Sequence, residues 1–102
     1  MLIAKVKRAP TDEELQSIAR HFRLLGEPMR LRILQAVCRE PRTVGDIVAA
    51  TGGTQANVSK HLALLAQAGI LQREKDGQCV YYGVKDQLVV RLCELVRAQL
   101  AD

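Results

Sequence analysis

Apolar residues recur at helical spacing in the first half of the chain, and each stretch has its own start and stop signals. Thr11 followed by Glu14 is a capping-box pattern, and Gly26 offers a stop to the helix that follows. Pro28 suits the first position of a second helix, which must end before Pro41. The apolar stripes are Leu15, Ile18, Ala19, Phe22 and Leu25 in the first helix and Met29, Ile33, Leu34 and Val37 in the second. Two successive helices are therefore predicted.

Two further helices are predicted on either side of a pair of glycines. Thr43 can cap a third helix that closes at Gly52 and Gly53, and Thr54 can cap a fourth that ends near Gly69. The apolar stripe of the fourth helix, expected to be buried, is Val58, Leu62 and Leu65. Two helices joined by a tight turn containing glycine form the helix-turn-helix arrangement.

Beyond Gly69 the apolar period changes from helical spacing to alternation, which predicts strands. Leu71 to Lys75 and Gln78 to Val84 flank Asp76-Gly77, a dipeptide that tolerates positive φ and favours a hairpin turn. A last helix begins near Asp86 and is apolar over more than one face. The predicted fold is mainly α (α+β), a winged helix-turn-helix of about five helices in which a two-stranded hairpin wing lies between the fourth and fifth helices.

Composition indicates one ordinary globular domain with a positive charge. The 102 residues are 48% hydrophobic and 25% charged, with a net charge of +4. No apolar run approaches the roughly 18 residues of a membrane span, and the start "MLIAKVKRAP" lacks the apolar core of a signal peptide, so a cytoplasmic protein is expected. Residues 1–10, with "KVKR" from Lys5 to Arg8, are interpreted as a flexible basic arm. The positive charge favours a polyanionic partner.

The start of the fourth helix is polar and free of acid. No Asp or Glu occurs between Ile47 and Arg73, which suits contact with a phosphate backbone. Gln and Asn can form bidentate hydrogen bonds to adenine, Ala and Thr methyl groups can contact the thymine methyl, and Lys or Ser can reach guanine or phosphate. Basic residues in the hairpin would contact the DNA backbone. The predicted DNA-binding residues are Thr54, Gln55, Ala56, Asn57, Ser59, Lys60, His61, Arg73 and Lys75. For His61 a phosphate contact or a supporting role is favoured over metal binding.

The segments "LGEPMRLRIL", "TVGDIVAATGGTQANVSKHLALLAQAGIL" and "REKDGQCVYYGV" resemble the ArsR/SmtB family of bacterial winged-helix repressors. The resemblance covers about residues 15 to 100. It implies a homodimer that pairs through its first and last helices, binds a double-stranded DNA operator and releases it when an inducer binds. A twofold dimer would place the recognition helices roughly 34 Å apart, which predicts an imperfect inverted repeat.

The residues that bind metal inducers in the best-known relatives are missing. Arsenic- and cadmium-type sensors carry a thiolate pair where this chain has "TVGDIV". The register nearest to the zinc and nickel site on the last helix contains no imidazole and reads Asp86, Leu88, Gln99 and Asp102. Neither a metal site of these kinds nor a cofactor is predicted.

The three cysteines follow no CxxC pattern, so a secreted disulfide framework is not expected. Some relatives sense persulfides or oxidants through a cysteine on the second helix and one on the last. Cys38 and Cys93 lie on the corresponding elements, which makes them candidate redox or inducer residues. Compared with the cysteines of those relatives, Cys38 lies about one helical turn later in the chain and Cys93 about two turns earlier. The alternative is that both are small hydrophobic residues of the core. Cys79 is expected on the outer face of the wing.

An enzyme is not predicted, because no Ser-His-Asp set, phosphate loop or cluster at metal-ligand spacing can be assembled. Two alternatives to a repressor of this type stay open, a winged helix used for protein interaction and a metal-sensing repressor with a non-standard site. Arg30 is expected to contact either a phosphate or an acid such as Glu27.

Overall fold

The structure, a computed structural model, describes residues 3–4 and 8–101, and its elements follow the predicted order with one added strand. Lys5 and Lys7 of the predicted basic arm and Asp102 lie outside the described residues. The elements are α1 (Asp12–Leu25), α2 (Pro28–Val37), β1 (Arg42–Thr43), α3 (Val44–Thr51), α4 (Gln55–Gln67), β2 (Leu71–Asp76), β3 (Cys79–Val84) and α5 (Gln87–Leu100). The winged helix-turn-helix with five helices and a hairpin wing is confirmed.

The predicted caps set the starts of the helices. Thr11 and Glu14 form the reciprocal capping box at α1: the Thr11 hydroxyl accepts the Glu14 backbone N–H, and the Glu14 carboxylate accepts the Thr11 backbone N–H at 2.8 Å. Thr43 and Thr54 cap α3 and α4 by accepting the backbone N–H three residues on, at 3.2 and 3.1 Å. Each such cap contributes about 1 kcal/mol, because it satisfies an N–H that the helix leaves without a partner.

A short strand that the sequence did not predict joins the hairpin. β1 pairs antiparallel with β3, with Arg42 opposite Tyr82 and Thr43 opposite Tyr81, and the sheet order is β1-β3-β2. Two residues are too few to show an alternating pattern. The pairing arises because the end of α2 and the start of α3 bring this segment beside β3.

The hairpin turn lies one residue later than predicted. Asp76 pairs with Cys79, so the two loop residues are Gly77 and Gln78 rather than Asp76 and Gly77. Gly77 has φ +66°, and every non-glycine residue among those described has negative φ. A type II′ turn requires a residue with positive φ, usually glycine, at its first loop position, which explains why the loop begins at Gly77.

The core lies between α2, α3, α4 and the sheet. Val58, Leu62 and Leu65 of α4 are fully buried, as their spacing predicts. The remaining buried residues are Leu25, Ile33, Leu34, Val37, Ile47, Ile70, Leu71 and Val89. The opposite side of α4 is therefore left to solvent.

α1 and α5 flank this core and each keeps an apolar surface in solvent. Of the apolar stripe of α1 only Leu25 is buried, and of α5 only Val89. The large apolar residues that remain exposed on these two helices are Leu15, Ile18, Phe22, Leu88, Leu95, Val96 and Leu100. Within the described ranges no helix is both long enough and apolar enough to cross a bilayer.

Candidate nucleic-acid interface

The first two turns of α4 present a continuous polar surface. Gln55, Ala56, Asn57, Ser59 and Lys60 are all exposed, while the apolar stripe on the other side of the helix is fully buried. The structure thus brings these predicted residues together on one accessible face. The buried stripe fixes the rotation of α4, so the polar side chains can only point outward.

The turn between α3 and α4 depends on its two glycines. Gly52 closes α3 in the left-handed region at φ +74°, and its N–H donates to the Val48 carbonyl oxygen. A Cβ atom added to Gly53 would lie 2.9 Å from a Val58 methyl carbon and 3.2 Å from the Met29 methyl carbon. The turn is therefore packed directly against the core, and this packing sets the position at which α4 begins.

Thr54 lies at the start of this surface as the cap of α4. Its hydroxyl oxygen accepts the Asn57 N–H at 3.1 Å and thereby caps the helix, while the hydroxyl hydrogen remains available to donate to a ligand. No acidic residue lies in the first turn of α4. The N-terminal end of a helix carries partial positive charge, which favours an anionic partner at this position.

The wing carries two basic residues on one face of β2. Arg73 lies opposite Tyr82 and Lys75 opposite Val80, and both basic residues are exposed. Among the described residues neither they nor Lys60 form an ion pair, so their charges are free to bind an external anion. The carboxylate between them belongs to the other face of the strand, where the Gln72 amide donates to the Glu74 carboxylate at 2.6 Å.

His61 lies beside the exposed surface of α4 and is largely buried against α2. Its side chain is 14% exposed, and its Nδ1 accepts a hydrogen bond from Arg30 Nε at 3.1 Å. Its Nε2 lies 3.8 Å from the Glu27 carboxylate, which also caps α2 by accepting the Arg30 backbone N–H at 2.9 Å. Desolvation raises the pKa of Glu27, but hydrogen bonds from the backbone N–H groups of Arg30 and Met29, together with the nearby His61 ring and the Arg30 charge, outweigh it and hold this pKa below its usual value.

The cysteines lie at the surface, so the interpretation of Cys38 and Cys93 as core residues is wrong. All three thiols are free and exposed, and Cys79 lies on the wing as predicted. Cys38 ends α2, where its Sγ donates to the Gln35 carbonyl oxygen at 3.2 Å. Partial burial of the Cys93 sulfur raises the pKa of that thiol, which reduces its reactive thiolate fraction.

The potential ligands on α5 do not form a metal centre in the described part of the chain. Asp86 caps α5 by accepting the Leu88 N–H at 3.0 Å, and its second carboxylate oxygen lies 3.8 Å from Nε2 of His21. Within residues 3–4 and 8–101, no three His, Cys, Asp or Glu side chains are placed to hold one ion.

An acid-free helix face, held outward by a helix-turn-helix and accompanied by a β-hairpin with two exposed basic side chains on one face, defines a winged-helix DNA-binding protein. Known proteins with a related sequence or fold agree with this class. Residues 27–73 match the model of the bacterial regulatory protein, arsR family. A probable mercury resistance operon repressor of Streptomyces lividans is 39% identical over 84 residues, which cover 82% of this chain and 67% of the relative.

Solved structures of similar proteins share the whole fold. The AntR antimony-specific transcriptional repressor superposes with a TM-score of 0.83 at 31% identity, covering 93% of this chain and 87% of that protein. A homodimeric winged helix-turn-helix DNA-binding domain from Mycobacterium bovis superposes with a TM-score of 0.77 at 28% identity, covering 90% and 88% of the two chains. The chain belongs to the arsR family of bacterial regulatory proteins. It is a DNA-binding transcriptional repressor and not an enzyme.

The sequence led us to expect Arg30 to contact a phosphate or an acid such as Glu27, but it did not predict a contact between Arg30 and the recognition helix. Arg30 contacts α4 although 31 residues separate it from His61 in the chain. The only sequence signal was its position in the first turn of α2, which a surface arginine would share.

Proposed function

We propose that the protein represses transcription as a homodimer that binds an inverted-repeat operator, with the start of α4 in the major groove of each half-site. The observation that carries the proposal is the exposed, acid-free surface of the first two turns of α4, opposite a stripe with no solvent exposure. Such a surface can approach phosphates without charge repulsion, and its side chains match the groups on base edges.

The predicted residues divide into two roles. Gln55 and Asn57 read bases, because their amides can donate and accept at once, and Ala56 and the Thr54 methyl group contact thymine methyl groups. Ser59 and Lys60 contact guanine or phosphate. Arg73 and Lys75 of the wing contact the adjacent backbone, and these contacts position the protein without reading sequence.

The apolar surfaces of α1 and α5 support a homodimer. Phe22 on α1 and Leu95 on α5 are among the large apolar residues that a single chain leaves exposed. Contiguous apolar surface of this kind marks an interaction site. The similar domain from Mycobacterium bovis is itself homodimeric. A twofold pair would space the recognition helices by roughly 34 Å, one turn of DNA.

Selection of duplexes from a random pool, followed by fluorescence anisotropy, tests the proposal. We expect Lys60→Ala to weaken binding to every duplex, whereas Gln55→Ala and Asn57→Ala should reduce preference at particular base pairs by about 1–3 kcal/mol. Gln67→Ala, at the exposed end of the same helix, is the matched control and should leave base preference unchanged. Weak binding that neither salt nor sequence alters would favour a protein-interaction module instead.

The signal that releases the operator is proposed to act on a thiol, Cys38 or Cys93, because both thiols are free and are exposed in the single chain. Operator affinity would be measured with and without persulfide or peroxide for wild type, Cys38→Ser and Cys93→Ser, with Cys79→Ser as the control thiol. Loss of affinity that either of the first two substitutions prevents supports the switch. Unchanged affinity of the wild type would exclude it and leave a non-standard metal site, which elemental analysis of the purified protein would detect.

A further inference from the structure

A polar cluster joins the recognition helix α4 to the first turn of α2. It consists of Glu27, Arg30 and His61, and the Arg30 Nε donates to His61 Nδ1 at 3.1 Å. Glu27 lies on the other side of the ring, with its carboxylate oxygen 3.8 Å from His61 Nε2. The same carboxylate fixes the start of α2 by accepting the Arg30 backbone N–H. All three residues are less than fully exposed, so the cluster is part of the helix packing.

The hydrogen bond from Arg30 determines the tautomer of His61. Arginine can only donate, so His61 Nδ1 must be the unprotonated acceptor nitrogen. The ring proton of neutral His61 is then on Nε2, which points toward the Glu27 carboxylate. Nδ1 is therefore occupied by Arg30, and Nε2 lies beside the Glu27 carboxylate without a hydrogen bond to it. The Glu27 carboxylate beside Nε2 would repel a phosphate, so the ring is poorly placed to bind one.

The Arg30 guanidinium, by contrast, uses one N–H and keeps its outer nitrogens for an external partner. Neither Nη atom of Arg30 donates a hydrogen bond or forms a salt bridge to any described residue. Asn57 and His61 are four residues apart on α4, which places them on the same side of the helix. Arg30 thus lies next to the surface that carries the base-reading Asn57.

We propose that Arg30 is a DNA phosphate contact contributed by α2, and that His61 is the positioning residue that holds its guanidinium in place. The proposal rests on the DNA-binding role proposed above. A planar guanidinium anchored at Nε presents two parallel N–H groups, the geometry that suits a phosphate. Holding it against His61 before binding removes part of the side-chain entropy that an unrestrained arginine would lose.

The salt dependence of binding to a random-sequence duplex of about 30 base pairs tests the phosphate contact, since that length holds two half-sites one turn apart. A phosphate contact contributes about 0.9 to the slope of log affinity against log salt. We expect Arg30→Ala to reduce that slope by about one for each Arg30 in contact with DNA. Arg39→Ala removes the same charge two residues beyond the opposite end of α2 and should leave the slope unchanged. Equal slopes for Arg30→Ala and wild type would overturn the proposal.

Conservative variants of His61 test the positioning role. An asparagine side chain in place of His61 would put an acceptor oxygen the same number of bonds from Cα as Nδ1, whereas leucine has no acceptor. We therefore expect His61→Leu to weaken duplex binding and His61→Asn to restore most of the affinity. In an Arg30→Ala background His61→Leu should have no further effect, because His61 acts through Arg30. An equal loss in both backgrounds would show that His61 only packs, and would overturn the positioning role.

Control measurements separate the possible failures. Urea unfolding of each variant establishes that it folds. If His61→Leu does not fold, the duplex affinity of Arg30→Lys tests the proposal instead. Lysine keeps the charge but lacks the planar N–H group bonded to His61, so it should bind more weakly than wild type, and full affinity would overturn the proposal. If wild type binds duplex but Arg30→Ala matches it, only this inference fails. If wild type does not bind duplex at all, the proposed function fails with it.

Discussion

Replacing Phe22 with alanine provides a quantitative test of the proposed dimer. Phe22 keeps 61% of its surface exposed in the single chain. Since an aromatic side chain offers roughly 200 Å², about 120 Å² of Phe22 is left for a partner to cover. At about 25 cal/mol per Å², burial of that surface contributes about 3 kcal/mol for each copy. A twofold dimer contains two copies, and the upper bound is therefore about 6 kcal/mol.

The observed effect will be smaller than this bound, because ordering of side chains and imperfect packing offset part of the gain. A loss of about 2.7 kcal/mol corresponds to a rise of about 100-fold in the dimer dissociation constant, which we take as the expected minimum for Phe22→Ala. Sedimentation equilibrium over a range of concentrations measures this constant. Leu31→Ala, which removes an exposed apolar side chain from α2, is the matched control. A dissociation constant unchanged in Phe22→Ala would refute pairing through α1.

Two further predictions concern the turn before α4 and the start of α1. Gly53→Ala should lower duplex affinity, because its new Cβ would lie 2.9 Å from a Val58 methyl carbon and displace the start of α4. Gly45→Ala is the control and should leave the affinity unchanged, because the nearest neighbour of its new Cβ would be 4.0 Å away. Equal duplex affinities of the two variants, measured by fluorescence anisotropy, would contradict this prediction. The Arg8 guanidinium, together with hydrogen bonds from the backbone and the hydroxyl of Thr11, lowers the pKa of Glu14 from 4.5 to about 2. The Glu14 carboxylate therefore stabilises the fold fully above the unfolded pKa, and this stabilisation is lost as the pH falls from 4.5 toward 2. Urea unfolding across that range should show a smaller acid-induced loss in Glu14→Gln, and identical pH profiles would exclude this contribution.

Sequence predicted those parts of the fold whose signals are local. Thr11, Thr43 and Thr54 cap the helices that they were expected to cap, because a capping side chain bonds a backbone group only three residues away. The buried stripe of α4 followed from periodicity, since a helix that packs on one side must repeat its apolar residues every three or four positions. The face opposite that stripe, and with it most of the candidate DNA surface, was predictable for the same reason.

The parts that were missed depend on contacts between distant segments. β1 exists only because Arg42 and Thr43 meet β3, which lies far along the chain at Tyr81 and Tyr82. The hydrogen bond between Arg30 and His61 similarly has no local signature. The pattern of α1 gave its helical period but not its environment, because an apolar stripe that faces the core and one that faces a second subunit have the same spacing.

The two halves of α5 differ in how the single chain supports them. In its first half Val89 is fully buried, and the carboxylate of the preceding Asp86 caps the helix and lies 3.8 Å from His21 of α1. From Cys93 onward every residue to the end of the helix is exposed. An isolated helix of this length is marginal in water, and most of its stability must come from packing. We therefore expect the second half of α5 to depend on the proposed partner subunit, so that loss of the dimer in Phe22→Ala is accompanied by loss of helical circular dichroism. A monomer that keeps its full helical signal would show that α5 is stable without a partner.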